Sequence, residues 1–380
     1  MTPAPRLLTP GPTPLPPDVL AAMSQPIIHH RTPQFQQVLT EVAAGLKAVF
    51  RTSQPVYLLA GSGTAAMEAA VVNLLSAGDE ALVLRAGKFG ERWSELCEAY
   101  GARAIPLDAP WGSVPSPAQV QQALQTHPAV KAVFATLCET STGVVQDIRG
   151  YAQMVQKTPA VLVVDAISGL GAEPLETEQW GVDVVVSGSQ KALMLPPGLA
   201  FITVSPKAWG LIEHSTLPRY YFSLPKAKKV WDKEQDTPFT PAITLIIALA
   251  AALRLIQREG LEKILDRHRK NAEAIRHAAQ AMGLTLYAQP SCCSRAVTAV
   301  NVPAGVDGKQ LVTLMRDQHG ITIAGGQSEL AGKIFRIASM GHIQPDDIRA
   351  AIAALEQVLT ELGWTFPAGV GTKALEEVLA

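Results

Sequence analysis

The stretch Ser187-Gly-Ser-Gln-Lys-Ala-Leu193 decides the fold, because it sets a lysine directly behind a short apolar strand. Val182-Asp-Val-Val-Val-Ser187 is a β-branched run closed by small residues, the pattern of a buried strand. The run gives out at Lys191, just before Pro196-Pro-Gly198. In an open α/β sheet, ligands gather outside the carboxyl ends of the strands. A lysine held at that rim is a candidate functional residue. The plain alternative is a solvated surface lysine, the default for this residue type.

Two further stretches argue against that default. Ala160-Val-Leu-Val-Val-Asp165 is a second apolar strand, and it ends in a carboxylate. Ala60-Gly-Ser-Gly-Thr64 ends a strand, Val56 to Leu59, and opens a helix, Ala65 to Leu75. Small residues at a helix start leave backbone N–H groups free to cradle an anion. A lysine, an aspartate and a phosphate cradle, each at a strand end, are what pyridoxal phosphate needs. The amine forms the Schiff base, the carboxylate keeps the pyridine nitrogen protonated, and the cradle holds the phosphate. Asp165 has a plainer possible role, as cap of the turn Ala166-Ile-Ser-Gly-Leu-Gly171.

From Val56 to Ser205 strands and helices alternate. Strand patterns cover 57–59, 81–84, 104–107, 132–137, 161–164, 182–186 and 199–204, with helices at 65–75, 89–100, 117–126 and 147–157 between them. Such alternation predicts an α/β fold with a mostly parallel sheet covered by helices on both faces. The run 199–204 follows a Pro-Gly turn, so an antiparallel placement is open for it. Beyond Thr240 one long helix reaches Arg258, and a second runs from Gly260 to Met282. A smaller C-terminal α+β unit follows, with strands at 296–302, 321–323 and 334–338 and helices at 308–318 and 345–362. Residues 365–380 read as an appended tail with a last helical turn.

Composition bounds the rest. The 380 residues are 48% hydrophobic, ample for a large core, and the net charge is −1 with no basic block, which disfavours nucleic acid as a partner. Cys97, Cys138, Cys292 and Cys293 make no C-x-x-C pair, so no metal ligand set is legible and free thiols suit a reducing compartment. The apolar stretch Ala242 to Leu253 is too short to span a bilayer. With no secretory pattern at the N-terminus, the expectation is a soluble, cytoplasmic protein without membrane association.

These motifs resemble the class V aminotransferases of fold type I, in the alanine–glyoxylate, serine–glyoxylate and serine–pyruvate branch. The similarity runs nearly end to end, from Leu7-Leu-Thr-Pro-Gly-Pro12 to the last helix. It is carried by Gly61-Ser-Gly63, Glu139-Thr-Ser-Thr-Gly-Val144, Val164-Asp165, Ser187-Gly-Ser-Gln-Lys191 and Phe335-Arg-Ile337. The resemblance implies a large cofactor domain with a seven-stranded, mostly parallel sheet (31–258) and a smaller C-terminal α+β domain (259–380). It also implies an ordered arm (1–30) that crosses a homodimer with shared active sites, although a Pro-rich segment alone would suggest a flexible tail without regular elements.

By the same resemblance, Lys191 carries pyridoxal 5'-phosphate and Asp165 lies under its ring nitrogen. Ser62, Gly63, Thr64 and Gln190 hold the phosphate, with Thr237 and Thr240 of a second subunit completing it. Phe89 stacks on the ring where relatives carry Trp, and Thr140 offers a hydroxyl near the ring oxygen. Gly11 contributes backbone to the site. Arg336, in the apolar strand Ile334-Phe-Arg-Ile-Ala338, takes the α-carboxylate of the amino acid, since a buried guanidinium needs a carboxylate and its fork matches one. A structural ion pair is the other role open to it.

The expected activity is transamination from a small amino acid, alanine or serine, to a 2-oxo acid, glyoxylate or pyruvate. No second arginine is legible for a side-chain carboxylate, which counts against aspartate or glutamate. Three rivals share the resemblance. Phosphoserine aminotransferase would need an extra basic cluster. A cysteine desulfurase would need a thiol in the loop 324–333, which holds none. A non-catalytic subunit, as in relatives labelled as part of a soluble hydrogenase, would have no use for the lysine, aspartate and cradle together.

Overall fold

The computed structural model describes residues 5–380. Its largest sheet has seven strands in the order Val56–Gly61, Gly198–Val204, Val184–Gly188, Val161–Asp165, Ala132–Thr136, Glu80–Arg85, Arg103–Asp108. The last five run parallel to one another. Gly198–Val204 is antiparallel to both its neighbours, so two reversals restore the direction of Val56–Gly61. Gly61, Asp165 and Gly188 therefore end on one rim, where the three sequence motifs meet.

The unbroken apolar runs follow from burial on both faces. Val133, Leu162, Val164, Val185 and Phe201 enter one core, with the helices Pro33–Phe50 and Ile243–Glu259. Their neighbours Phe134, Val161, Val163, Val186 and Ile202 enter a second core beneath the helix Gly63–Leu74. The period-2 alternation of a strand thus sorts one hydrophobic run between two cores.

A third core belongs to the C-terminal unit. The strands Val297–Asn301, Ile334–Ala338 and Ala324–Gly325 pair antiparallel, with Ile334–Ala338 central. Phe335 and Ile337 pack beneath Leu261–Ala281, Gly308–His319 and Pro345–Glu361. The strand alternation leaves Arg336 on the opposite face from Phe335 and Ile337.

Several elements differ from the sequence reading. Within the proline-rich arm, Arg6–Leu7 pairs in parallel with Ile321–Thr322 of the same chain, and Pro17–Met23 forms a helix. Proline at a first helical position loses only an N–H that would be orphaned anyway. Leu8 and Val19 are fully buried in two different cores, so this segment is packed along its own chain. Residues 1–4 of the arm lie outside the described residues. Pro33–Phe50, which carries the same start signal after the cap Thr32, is a further helix ahead of the alternating region. The C-terminal segment is no mere tail: Val370–Leu379 is a helix with Leu375 fully buried in the third core. Among the described residues no helix is long and apolar enough to cross a membrane.

Candidate active site

Lys191 follows the Val184–Gly188 strand and is buried, with 9% of its surface exposed. Its ammonium donates to the Pro10 carbonyl of the N-terminal arm. The arm is pinned to the lysine's own backbone: Thr13 Oγ1 donates to the Lys191 carbonyl at 2.8 Å. Gly11 must be glycine here, since a Cβ would fall 2.3 Å from Lys191 Nζ and its φ is +114°. Burial pushes the amine down to about 8, against the opposing pull of Cys138 and Asp165.

Asp165 ends the neighbouring strand, 3% exposed. Its Oδ1 accepts the Ile167 N–H at 2.7 Å, so the turn-capping role holds for that oxygen. Burial raises the carboxyl to about 7. Such a group gains from a cationic partner placed beside it.

Both side chains open into one cleft. Ser62, Gly63, Thr64, Phe89 and Gln190 line it too, so seven of the predicted site residues meet there. The helix Gly63–Leu74 starts at this cleft, and Ser62 makes no side-chain cap. Its first N–H groups are left for an anion.

Three predicted residues stand elsewhere or act differently. Thr140 is buried, and its recorded contact is through the carbonyl, which accepts Arg336 Nη1 at 2.8 Å. Thr237 and Thr240 line a different pocket, beside Tyr221 and Phe239, and Thr237 Oγ1 donates to the Phe239 carbonyl at 2.8 Å. A single chain does not bring them to Lys191.

Arg336 is 5% exposed, and its partners are carbonyls: Thr140, and Gly325 through Nε at 3.0 Å and Nη2 at 2.7 Å. Among the described residues it forms no ion pair. A structural salt bridge is therefore not its role, and the charge is free for a carboxylate from outside. Burial lowers its guanidinium to about 10, partly offset by Glu139, so it stays cationic at neutral pH.

Two cleft groups and one residue behind the cleft escaped the sequence reading. Arg92 lies one helical turn beyond Phe89, with its guanidinium carbon 4.9 Å from the Phe89 ring centroid and Nη1 3.3 Å from Thr64 Oγ1. It lines the cleft, which corrects the expectation of a single arginine. Its spacing of three from Phe89 on a helix was the available signal. Cys138 also lines the cleft, buried and beside Ser294 Oγ at 3.2 Å. Burial raises its thiol well above the usual range, the reverse of an activated nucleophile. Glu139, quoted only as part of a motif, is fully buried behind Phe89.

The family model described as Aminotransferase class-V matches residues 7–354. The chain belongs to that family. Among relatives of this class-V aminotransferase, a soluble hydrogenase small subunit of Synechococcus sp. (strain PCC 6716) is 46% identical over 98% of each chain. L-aspartate–glyoxylate aminotransferase of Paracoccus denitrificans is 35% identical over 98% of this chain and 95% of its own. The crystal structure of alanine–glyoxylate aminotransferase from Nostoc sp. superposes with a TM-score of 0.90 at 35% identity, covering 94% of this chain and 96% of that one. The architecture is thus fold type I, as the sequence motifs implied.

Membership of the family implies pyridoxal 5'-phosphate, and the cleft fits it. The uncapped helix start matches the phosphate, and the buried carboxyl of Asp165 matches a ring cation. Close packing preserves the cradle: a Cβ on Gly188 would approach Gly63 N at 3.3 Å.

Proposed function

We propose that this transaminase holds pyridoxal 5'-phosphate on Lys191 and moves the amino group of alanine or serine to glyoxylate or pyruvate. The observation that carries the reading is the meeting of Lys191 and Asp165 in one cleft, with the buried Arg336 in no ion pair among the described residues. Bound there, the cofactor supplies an electron sink for the substrate carbanion. Ser62, Gly63, Thr64 and Gln190 would hold its phosphate, Asp165 its ring nitrogen, and Phe89 its ring face. Arg336 takes the amino acid's carboxylate on its fork and so orients the Cα–H bond. Lys191 Nζ, as the neutral amine, carries that proton.

Thr237 and Thr240 would complete the cradle of a second copy, making the protein a homodimer with shared sites. Four free thiols support a cytoplasmic setting. The desulfurase alternative is disfavoured by the protonated state that burial imposes on Cys138, and the non-catalytic subunit by the assembled cleft.

A dicarboxylic donor is the second reading, favoured by Arg92 in the cleft and by the Paracoccus relative. One assay panel separates the two. Alanine, serine, aspartate and phosphoserine are each offered with glyoxylate and with pyruvate, and kcat/KM is compared. Alanine or serine should lead. A clear lead for aspartate or phosphoserine overturns the proposed donor.

A further inference from the structure

Glu139 is fully buried, and every group bonded to it is a neutral donor. Oε2 accepts Phe89 N–H at 2.9 Å and Gly90 N–H at 3.0 Å. Oε1 accepts Ser141 Oγ at 2.5 Å and Ser141 N–H at 3.2 Å. Ser141 Oγ in turn accepts Lys88 N–H at 3.0 Å. The two oxygens thus divide between two segments. One is the start of the helix Lys88–Ala99, which carries Phe89 and Arg92 into the cleft. The other is the turn after Glu139, whose Thr140 carbonyl holds Arg336. The packing leaves no slack: a Cβ on Gly87 would fall 2.4 Å from Ser141 Oγ and 2.7 Å from the Glu139 carboxyl carbon.

Burying a carboxylate without a counter-charge is costly, and backbone donors offset that only when the geometry is rigid. A joint that merely closed a turn could use a neutral side chain. A carboxylate here does two further things. It accepts from both segments at once, and its charge favours the cationic form of Arg336.

We propose that Glu139 is a positioning residue that ties the Phe89 turn to the Arg336 handle, so that cofactor ring and substrate carboxylate are held at one fixed spacing. This rests on the function proposed above. Glutamine in its place offers one acceptor oxygen and an NH2 that no backbone N–H can meet, so either the Phe89 and Gly90 N–H bonds or the Ser141 N–H bond is lost. Both binding constants then move together.

The test compares Glu139→Gln with Glu173→Gln. Glu173 is a second buried carboxylate, which accepts Ser294 Oγ at 2.7 Å and Arg295 N–H at 2.5 Å and does not line the cleft. Both variants should lower Tm. Only Glu139→Gln should weaken uptake of pyridoxal phosphate by the apoprotein and raise KM for the amino donor, each by about tenfold, the effect of losing one charge-assisted tie. Ser141→Ala, a milder cut on the Oε1 side, should move both constants the same way by a few-fold. Unchanged constants in Glu139→Gln overturn the inference, and so does an equal shift in Glu173→Gln. Should Glu139→Gln not fold, unchanged constants in Ser141→Ala overturn it alone. Cofactor uptake is read without turnover, so a natural protein that binds pyridoxal phosphate but transaminates nothing fails the functional reading while the uptake comparison still decides.

Discussion

Lys191 and Arg336 are both buried cations whose partners are carbonyls, yet burial makes opposite tools of them. The lysine amine meets the Pro10 carbonyl, and the guanidinium meets those of Thr140 and Gly325. Burial lowers both: to about 8 for the lysine and about 10 for the arginine. At neutral pH the first has a usable share of free base, and the second has almost none. A compact ammonium gives up its proton readily when its hydration is stripped, while the delocalised guanidinium keeps its own. One physical penalty thus yields a partly free base at the rim of the large sheet and a fixed charge on the small one.

The sharpest way to break the comparison is to give Lys191 the other residue's chemistry. Lys191→Arg keeps the charge and the bulk but never offers a free base. It should cut transamination on the order of ten-thousandfold, as loss of a proton carrier does. Single-turnover rates with alanine would read it, and a variant within tenfold of the natural protein would show that charge alone suffices. The reciprocal exchange costs less. Arg336→Lys keeps a charge but loses the fork, and KM for the amino donor should rise roughly tenfold to hundredfold, with kcat moving much less. A large fall in kcat at unchanged KM would mean that Arg336 acts in the chemical step and not in binding.

The same contrast explains what was legible in the sequence. Lys191, Asp165 and the Gly61–Thr64 cradle each close an apolar strand, so periodicity placed them on one rim without coordinates. Arg336 was legible because a guanidinium in an apolar strand needs an explanation. Arg92 and Glu139 were not. Each sits in a polar, loop-adjacent setting where an ordinary solvated charge is the default. Only the folding of the 87–92 segment against the 139–143 turn, far apart in sequence, turns them inward. Thr237 and Thr240 differ again: within one chain they line another pocket, and only the proposed second copy would bring them to a cofactor. The helix Pro33–Phe50 precedes the alternating region, and Val370–Leu379 extends the last helical turn expected in 365–380 to ten residues.

The smallest expected effect is a shift in pH dependence. With its pKa near 8 against an ordinary 10.5, Lys191 has released its proton in the folded apoprotein where the unfolded chain still holds it. Apoprotein stability from this group should therefore rise as pH climbs from about 8 to about 10.5, and the charged form penalises the fold below that window. Capture of pyridoxal phosphate needs the free amine, so its rate should climb through a midpoint near pH 8 and then level off. Asp165 is among the groups that raise the lysine, so Asp165→Asn should move that midpoint downward. Stopped-flow absorbance across pH 6 to 11 would measure both proteins. A midpoint close to the ordinary lysine value would remove the contrast between Lys191 and Arg336. An upward shift in Asp165→Asn would mean that the aspartate does not face the amine as a charge.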